Sequence, residues 1–350
     1  MPVTINNERH VPVIEGVTVE QFRDEIVPAS RPVLLKGLAA DWPAVQRGQE
    51  SADAIANYIR HFDRGADVET IVGRPDIEGR FFYNDDLSGF NFAKLDETIG
   101  TTMNRLLASR GDSQPPTAYI QSIGIREFLP GFELENRLDL LPPKVTPYIW
   151  IGNRLNVQTH FDLRDNIACL VAGRRRFTLF PPEQTPNLYP GPFELTLSGP
   201  PVSMVKLDEP DLERYPKFAE AAKHMLVADL EPGDAVYVPY FWWHNVESLD
   251  EFNVLVNFWW NDAPRDLGSP FDAMLHGLLA LRELPENQRQ AWKTMFETYV
   301  FLEHGDPVAH LPDIVRGPLG YQDEDLRQYI RLMLLQSMAQ QAGVNLKQGG

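Results

Sequence analysis

A chain of 350 residues with 43% hydrophobic and 23% charged residues has the makeup of a folded globular protein, not a disordered one. Its 32 basic and 49 acidic residues leave a net charge of −17, a field that repels phosphate backbones and argues against a nucleic-acid partner. The one cysteine, Cys169, excludes an internal disulfide framework and any multi-cysteine zinc site. No apolar run approaches the ~18 residues of a membrane helix, and residues 1–6 lack the basic and apolar parts of a secretory signal. A cytoplasmic protein without a membrane partner is expected.

In chain order, Thr18-Val19-Glu20-Gln21 has the capping-box pattern, with Phe22 and Ile26 four apart behind it and Pro28 placed to stop the helix. Residues 32–36 form a short apolar strand. Ser51 opens a helix with Ile55, Tyr58 and Ile59 on one side. Strands are predicted over 68–72 and 80–83, then a helix over 92–107. The loop Gly111-Asp112-Ser113-Gln114-Pro115-Pro116 sets residues 1–117 apart as an N-terminal α/β segment packing on the core.

From residue 118 the texture changes to strands and turns. Strands are predicted at 119–123, 148–151, 166–171, 175–180, 235–239 and 253–260, with Gly173 and Gly233 at the turns. Short strands joined in this way predict a mainly β sandwich or barrel over 118–264 rather than a βαβ sheet. Beyond Pro264 come three helices, at 270–281, 285–302 and 323–342. The last is apolar around most of its circumference (Leu326, Tyr329, Ile330, Met333, Leu335), more than the surface helix of a monomer carries. Residues 265–350 are therefore expected to be a helical region that pairs two copies into a homodimer, the alternative being that residues 270–302 of the same chain cover the last helix.

Two histidines and one carboxylate on one face can hold a mononuclear iron and leave positions open. The short half of that pattern, H-x-[DE], occurs three times: His61-Phe62-Asp63, His160-Phe161-Asp162 and His304-Gly305-Asp306. About one is expected by chance, so the motif alone is weak. His61 ends a helical pattern, where residues two apart diverge by about 200° and cannot easily share an ion. His304 lies at a helix end beside a glycine. His160 closes an extended stretch in the strand-rich core, where positions i and i+2 share a face. Its partner should come from a distant neighbouring strand, and His244 qualifies, ending Gly233-Asp234-Ala235-Val236-Tyr237-Val238-Pro239-Tyr240-Phe241-Trp242-Trp243-His244. Taken alone, His244 reads as a core histidine packed by Trp242 and Trp243.

The segment from Asn166 to Pro182, ending Gly173-Arg174-Arg175-Arg176-Phe177-Thr178-Leu179-Phe180-Pro181-Pro182, resembles the JmjC/cupin-like Fe(II)/2-oxoglutarate-dependent oxygenases. So do the run from Tyr237 to Ser248 and Val256-Asn257-Phe258-Trp259. Within that family the likeness is to the factor-inhibiting asparaginyl hydroxylase. The resemblance implies a double-stranded β-helix (jelly-roll) core. It also implies an enzyme that couples decarboxylation of 2-oxoglutarate to succinate with hydroxylation of a C–H bond. It assigns His160, Asp162 and His244 as catalytic iron ligands, Tyr119, Asn166 and Asn257 as cosubstrate contacts, and Gln121 as a residue near substrate. Family members act on protein side chains, small molecules or modified RNA, and the acidic charge lowers the last option. Asn257 is the one polar side chain in Val254-Leu255-Val256-Asn257-Phe258-Trp259-Trp260 and needs a buried partner, ligand or backbone.

Two positions depart from the family. Where the relatives place a lysine for the distal carboxylate of 2-oxoglutarate, this chain has Arg175, and a cosubstrate-binding threonine is replaced by Val157. On a strand Arg175 shares its face with Phe177 and Leu179 and is the arginine expected to point inward, while Arg174 and Arg176 point out; without the resemblance, Arg174 to Arg176 read equally as a solvated basic hairpin. An inward guanidinium can grip a carboxylate bidentately. The alternatives are a metal cupin of other chemistry (an isomerase or a cosubstrate-independent dioxygenase) and a non-catalytic binding protein. The aromatic group Trp242, Trp243, Trp259 and Trp260 reads as core.

Overall fold

The strands at the centre of the molecule are apolar on both faces, which requires a layer on each side of them. The computed structural model of the chain describes residues 9–197 and 199–344 and supplies both layers. Residues 1–6, where the absence of a signal was read, lie outside the described residues.

Two sheets carry the architecture. The larger has nine strands, in the order β2 (Val13–Glu15), β3 (Val33–Lys36), β13 (Ala235–Val238), β10 (Asp165–Ala172), β15 (Asn253–Trp260), β8 (Pro147–Gly152), β7 (Thr117–Gly124), β4 (Asp67–Gly73), β6 (Phe92–Thr98). The smaller has six, in the order β1 (Arg9–His10), β12 (Leu226–Leu230), β11 (Arg175–Phe180), β14 (Trp243–Ser248), β9 (Leu155–Phe161), β5 (Arg80–Phe81). The pleat of β10 divides its side chains. Ala168 and Leu170 meet Phe177, Leu179, Leu230 and Val246 of the small sheet. Ile167, Cys169 and Val171 pack with helix residues Ile55, Ile59 and Met103 behind the large sheet. This is a jelly-roll core in a mixed α/β frame, and the strands of residues 1–117 extend the same two sheets.

Three expectations change. Residues 92–107 are not one helix: Phe92–Thr98 is an edge strand paired with β4, and the helix is Ile99–Ala108, capped by Thr98 Oγ1. Lys94, Leu95 and Asp96 face solvent at the edge, so the strand lacks the alternation that marks a half-buried one. Pro28 does not end the first helix. The chain passes through a π segment, Phe22–Ile26, and stops at Ser30 in left-handed conformation (φ 47°). Strands β12 and β14 were not predicted. The helices Pro270–Leu281, Glu286–Tyr299 and Glu324–Gln341 lie where the sequence placed them.

The chain divides into two compact units, meeting at Asn261 and Asp262. In the second, Val308 alone among the described residues is buried, while Leu279, Phe301, Tyr329 and Leu335 are each at least half exposed. None of its three long helices contributes a buried residue. No helix among the described residues is long and apolar enough to cross a membrane.

Candidate active site

The site lies between the sheets, on faces that the pleat dictates. On β14, His244, Val246 and Ser248 face the interior. On β9, His160 stands directly opposite His244 in the antiparallel ladder. Asp162 follows the end of β9, on the side of His160. Its position is fixed by two bonds: Phe241 N–H donates to the Asp162 carbonyl (3.0 Å) and Trp259 Nε1 donates to Asp162 Oδ2 (3.0 Å). Phe241 sits in the turn before β14 at φ 65°, a backbone region that non-glycine residues seldom occupy, and its ring stacks on Phe161 at 4.1 Å. The turns carrying Asp162 and His244 are thus fastened to one another.

One ligand atom from each of His160, Asp162 and His244 lies within 4.8 Å of the others. The two imidazole centroids are 4.3 Å apart, and His244 Nε2 is 3.6 Å from Asp162 Oδ2. Each Nδ1 is engaged behind the site: His160 with the Gln158 carbonyl at 2.8 Å and His244 with the Trp242 carbonyl at 3.0 Å. That fixes the tautomer and leaves both Nε2 lone pairs facing inward, as a metal requires. Burial, reinforced by the neighbouring His160 and opposed by Asp162, pushes the His244 imidazole down to about 4, so it is neutral at pH 7. Two nitrogens and a carboxylate with open positions suit a non-haem Fe(II). Among the described residues no other group of three possible ligands gathers, and neither His61 nor His304 joins this one.

Arg175 is 2% exposed and projects from β11 into the same interior, beside the Tyr119 phenol. Its neighbours point out and are paired: Arg174 with Asp250 (2.7 and 3.0 Å) and Arg176 with Asp229 (2.7 and 2.9 Å). The hairpin before β11 holds this register. Gly173 takes φ 76° and packs so closely that a Cβ there would lie 2.6 Å from Asn253 Oδ1. Burial pulls the guanidinium below its usual value, and Tyr119 partly offsets that, while burial raises the phenol. Arg175 Nε and Nη2 have no hydrogen-bond partner among the described residues. A buried cation with unpartnered donors is costly unless an anion joins it.

The polar floor belongs to the large sheet. Asn257 donates to Asn166 Oδ1 (3.0 Å) and accepts from Trp150 Nε1 (2.7 Å). Its buried partners are therefore side chains rather than backbone. Gln121 lies two residues beyond Tyr119 on β7, half-buried at an irregularity where Ser122 has φ 54°. Trp150 and Trp259, 5.6 Å apart, are not merely core: each indole N–H holds a polar residue of the site. The available sequence signal was the period of two, which places Trp259 on the face of Asn257.

The cupin-like domain family matches residues 19–266. The chain belongs to the cupin-like family. It is 26% identical over 313 residues to the tRNA wybutosine-synthesizing protein 5 of Gallus gallus, covering 80% of this chain and 90% of that protein. It is 39% identical over 152 residues to the HSPB1-associated protein 1 of Bos taurus (41% of this chain, 30% of that one). It is 42% identical over 102 residues to the lysine-specific demethylase JMJ31 of Arabidopsis thaliana (29% and 18%). The last two likenesses thus span less than a third of those proteins. The likeness to the asparaginyl hydroxylase rests on the motifs alone.

Proposed function

We propose that this cupin-like protein is an Fe(II)- and 2-oxoglutarate-dependent oxygenase that hydroxylates a C–H bond of a protein side chain or small molecule, releasing succinate and CO₂. The observation that carries this reading is Arg175, a buried cation with two unpaired donors on the same inter-sheet face as the His-Asp-His cluster. A metal cupin that needs no anionic cosubstrate has no use for it. The bound metal would supply the oxygen-activating redox chemistry. His160, Asp162 and His244 would hold it on one face, with Trp259 fixing the carboxylate. Arg175 and Tyr119 would grip the far carboxylate of 2-oxoglutarate, Asn166 and Asn257 would orient its near end, and Gln121 would meet the substrate. One relative is named for tRNA wybutosine synthesis, but the charge of −17 opposes a polyanion, which favours the other substrate classes. Anaerobic loading with Fe(II) and 2-oxoglutarate, then oxygen, should yield succinate. No succinate with any extract or substrate pool defeats the reading.

The same proposal includes a homodimer through the C-terminal helices. Three helices without a buried residue leave apolar surface such as Leu332, Leu335 and Met338 facing solvent, which a second copy would cover. The expected mass in solution at micromolar concentration is that of two chains, and Leu335→Arg should reduce it to one. A strictly monomeric mass, or an intact dimer in that variant, counts against the pairing.

A further inference from the structure

Strands β11 and β14 are antiparallel neighbours whose register sets Leu179 opposite His244 and Arg175 opposite Ser248. The pleat puts His244, Val246 and Ser248 on one face, so Ser248 faces the same inter-sheet interior as the metal cluster, four residues or about 13 Å further along the strand. Ser248 is 1% exposed, and its Oγ has no hydrogen-bond partner among the described residues. Its opposite number, Arg175, is equally buried and has the same lack at Nε and Nη2. Unpaired buried donors are rare in native proteins. Here three such atoms belong to two residues that face one another across a single rung. Val157, which pairs with Val246 one rung nearer the metal, offers no hydrogen bond.

A carboxylate has two oxygens with about four acceptor sites. A guanidinium edge can occupy two of them side by side, and a hydroxyl can take a third. From this we infer that Ser248 is a specificity-determining residue. Its Oγ–H donates to the distal carboxylate of the cosubstrate beside Arg175, so the pair selects 2-oxo dicarboxylic acids over chelators lacking a second arm. The inference rests on the proposed oxygenase reading and adds to it a residue, a bond and a selectivity.

The test measures binding rather than turnover, by calorimetry on the full chain loaded with Mn(II), using two probes. One is 2-oxoglutarate; the other is oxalate, which can chelate the metal but has no second arm. Ser248→Ala should weaken 2-oxoglutarate by about tenfold to a hundredfold, as loss of a hydrogen bond to a charged group does, and leave oxalate within about twofold. Without ligand its melting temperature should be unchanged or raised, because the hydroxyl has no protein partner to lose. Unchanged affinity for 2-oxoglutarate overturns the inference. So does an equal loss for both probes, or a melting temperature several degrees lower, since either marks a structural serine. If the unaltered protein binds oxalate but not 2-oxoglutarate, the cosubstrate reading itself falls, and this inference with it.

Discussion

The two ends of the inter-sheet face that carries His244 and Arg175 are built on opposite principles. At the metal end each of the three candidate ligands has a partner within the protein: two ring nitrogens on carbonyls and a carboxylate under an indole N–H. About 13 Å away along the strands, Arg175 lies beside the Tyr119 phenol, yet its Nε and Nη2 have no hydrogen-bond partner among the described residues. The Arg175 end is the more deeply buried: Arg175 is 2% exposed, whereas His160 and Asp162 are half-buried beside the buried His244. Partnered ligands hold a geometry in which an ion can be exchanged without rearrangement. Unpartnered donors hold a free-energy deficit that an incoming anion would relieve, and under the proposed reading the Arg175 end would be the source of cosubstrate affinity.

The comparison breaks most severely at the metal end. His160→Ala or His244→Ala removes one of three protein ligands and should abolish turnover and weaken iron binding by at least ~10²-fold. Iron stoichiometry measured on dialysed protein checks this, and an unchanged value in both variants sinks the assignment. Next in size is Arg175→Ala, which leaves the distal carboxylate buried without its cation. The loss expected is about 3–5 kcal/mol, or 10²–10³ or more in the 2-oxoglutarate requirement, with iron binding nearly intact. Arg175→Lys should recover part of the affinity by keeping the charge and losing the fork. Arg174→Ala and Arg176→Ala should do little, because their ion pairs lie on the outer face. If those two variants impair cosubstrate binding and Arg175→Ala does not, the anion is held elsewhere. Smaller still is Trp259→Phe, which keeps the ring and deletes the donor to Asp162. It should loosen iron by about tenfold and leave 2-oxoglutarate affinity for the loaded protein within a few-fold. Unaltered iron affinity would reduce Trp259 to packing.

Much of this site was legible because strands repeat every two residues. That period, together with the family resemblance, turned Arg175 inward and Arg174 and Arg176 outward, and it put His160 and Asp162 on one side. Arg175–Phe180 and Asn253–Trp260 were read to the residue because their apolar runs end at clear turns. What stayed hidden depends on partners that only folding supplies. The indole N–H of Trp259 finds a carboxylate 97 residues away in sequence, and no local pattern encodes that bond. Phe92–Thr98 pairs only along one edge, so its exposed charges imitate a helix. The family resemblance supplied the roles of Tyr119, Asn166 and Asn257, which the residues alone would have left as core and backbone-bonded amides.

The smallest effect belongs to the outer face of the same strands, where a buried polar group does have partners. Asp229, Arg176, Glu247, Asn156 and Arg80 stand opposite one another in a row across five strands. Arg80 is paired with Asp208, and Asn156 Nδ2 donates to Glu247 Oε1 at 3.1 Å. Burial pushes the Glu247 carboxyl above its ordinary 4.5; Arg176 and Arg80 oppose this, and Asp208 and Asp229 add to it. The folded chain therefore binds that proton more tightly than the unfolded one. The stabilisation it gives is complete below about pH 4.5 and is lost as pH rises through the raised value. Glu247→Gln has no proton to lose and can accept the same bond from Asn156. It should raise the melting temperature by about 1–3 °C at pH 8 and give no advantage at pH 4. A lower melting temperature at pH 8 would mean that Arg176 and Arg80 outweigh burial at this position. The outer row would then be held by its charges, and the contrast with Arg175 would be one of missing partners alone.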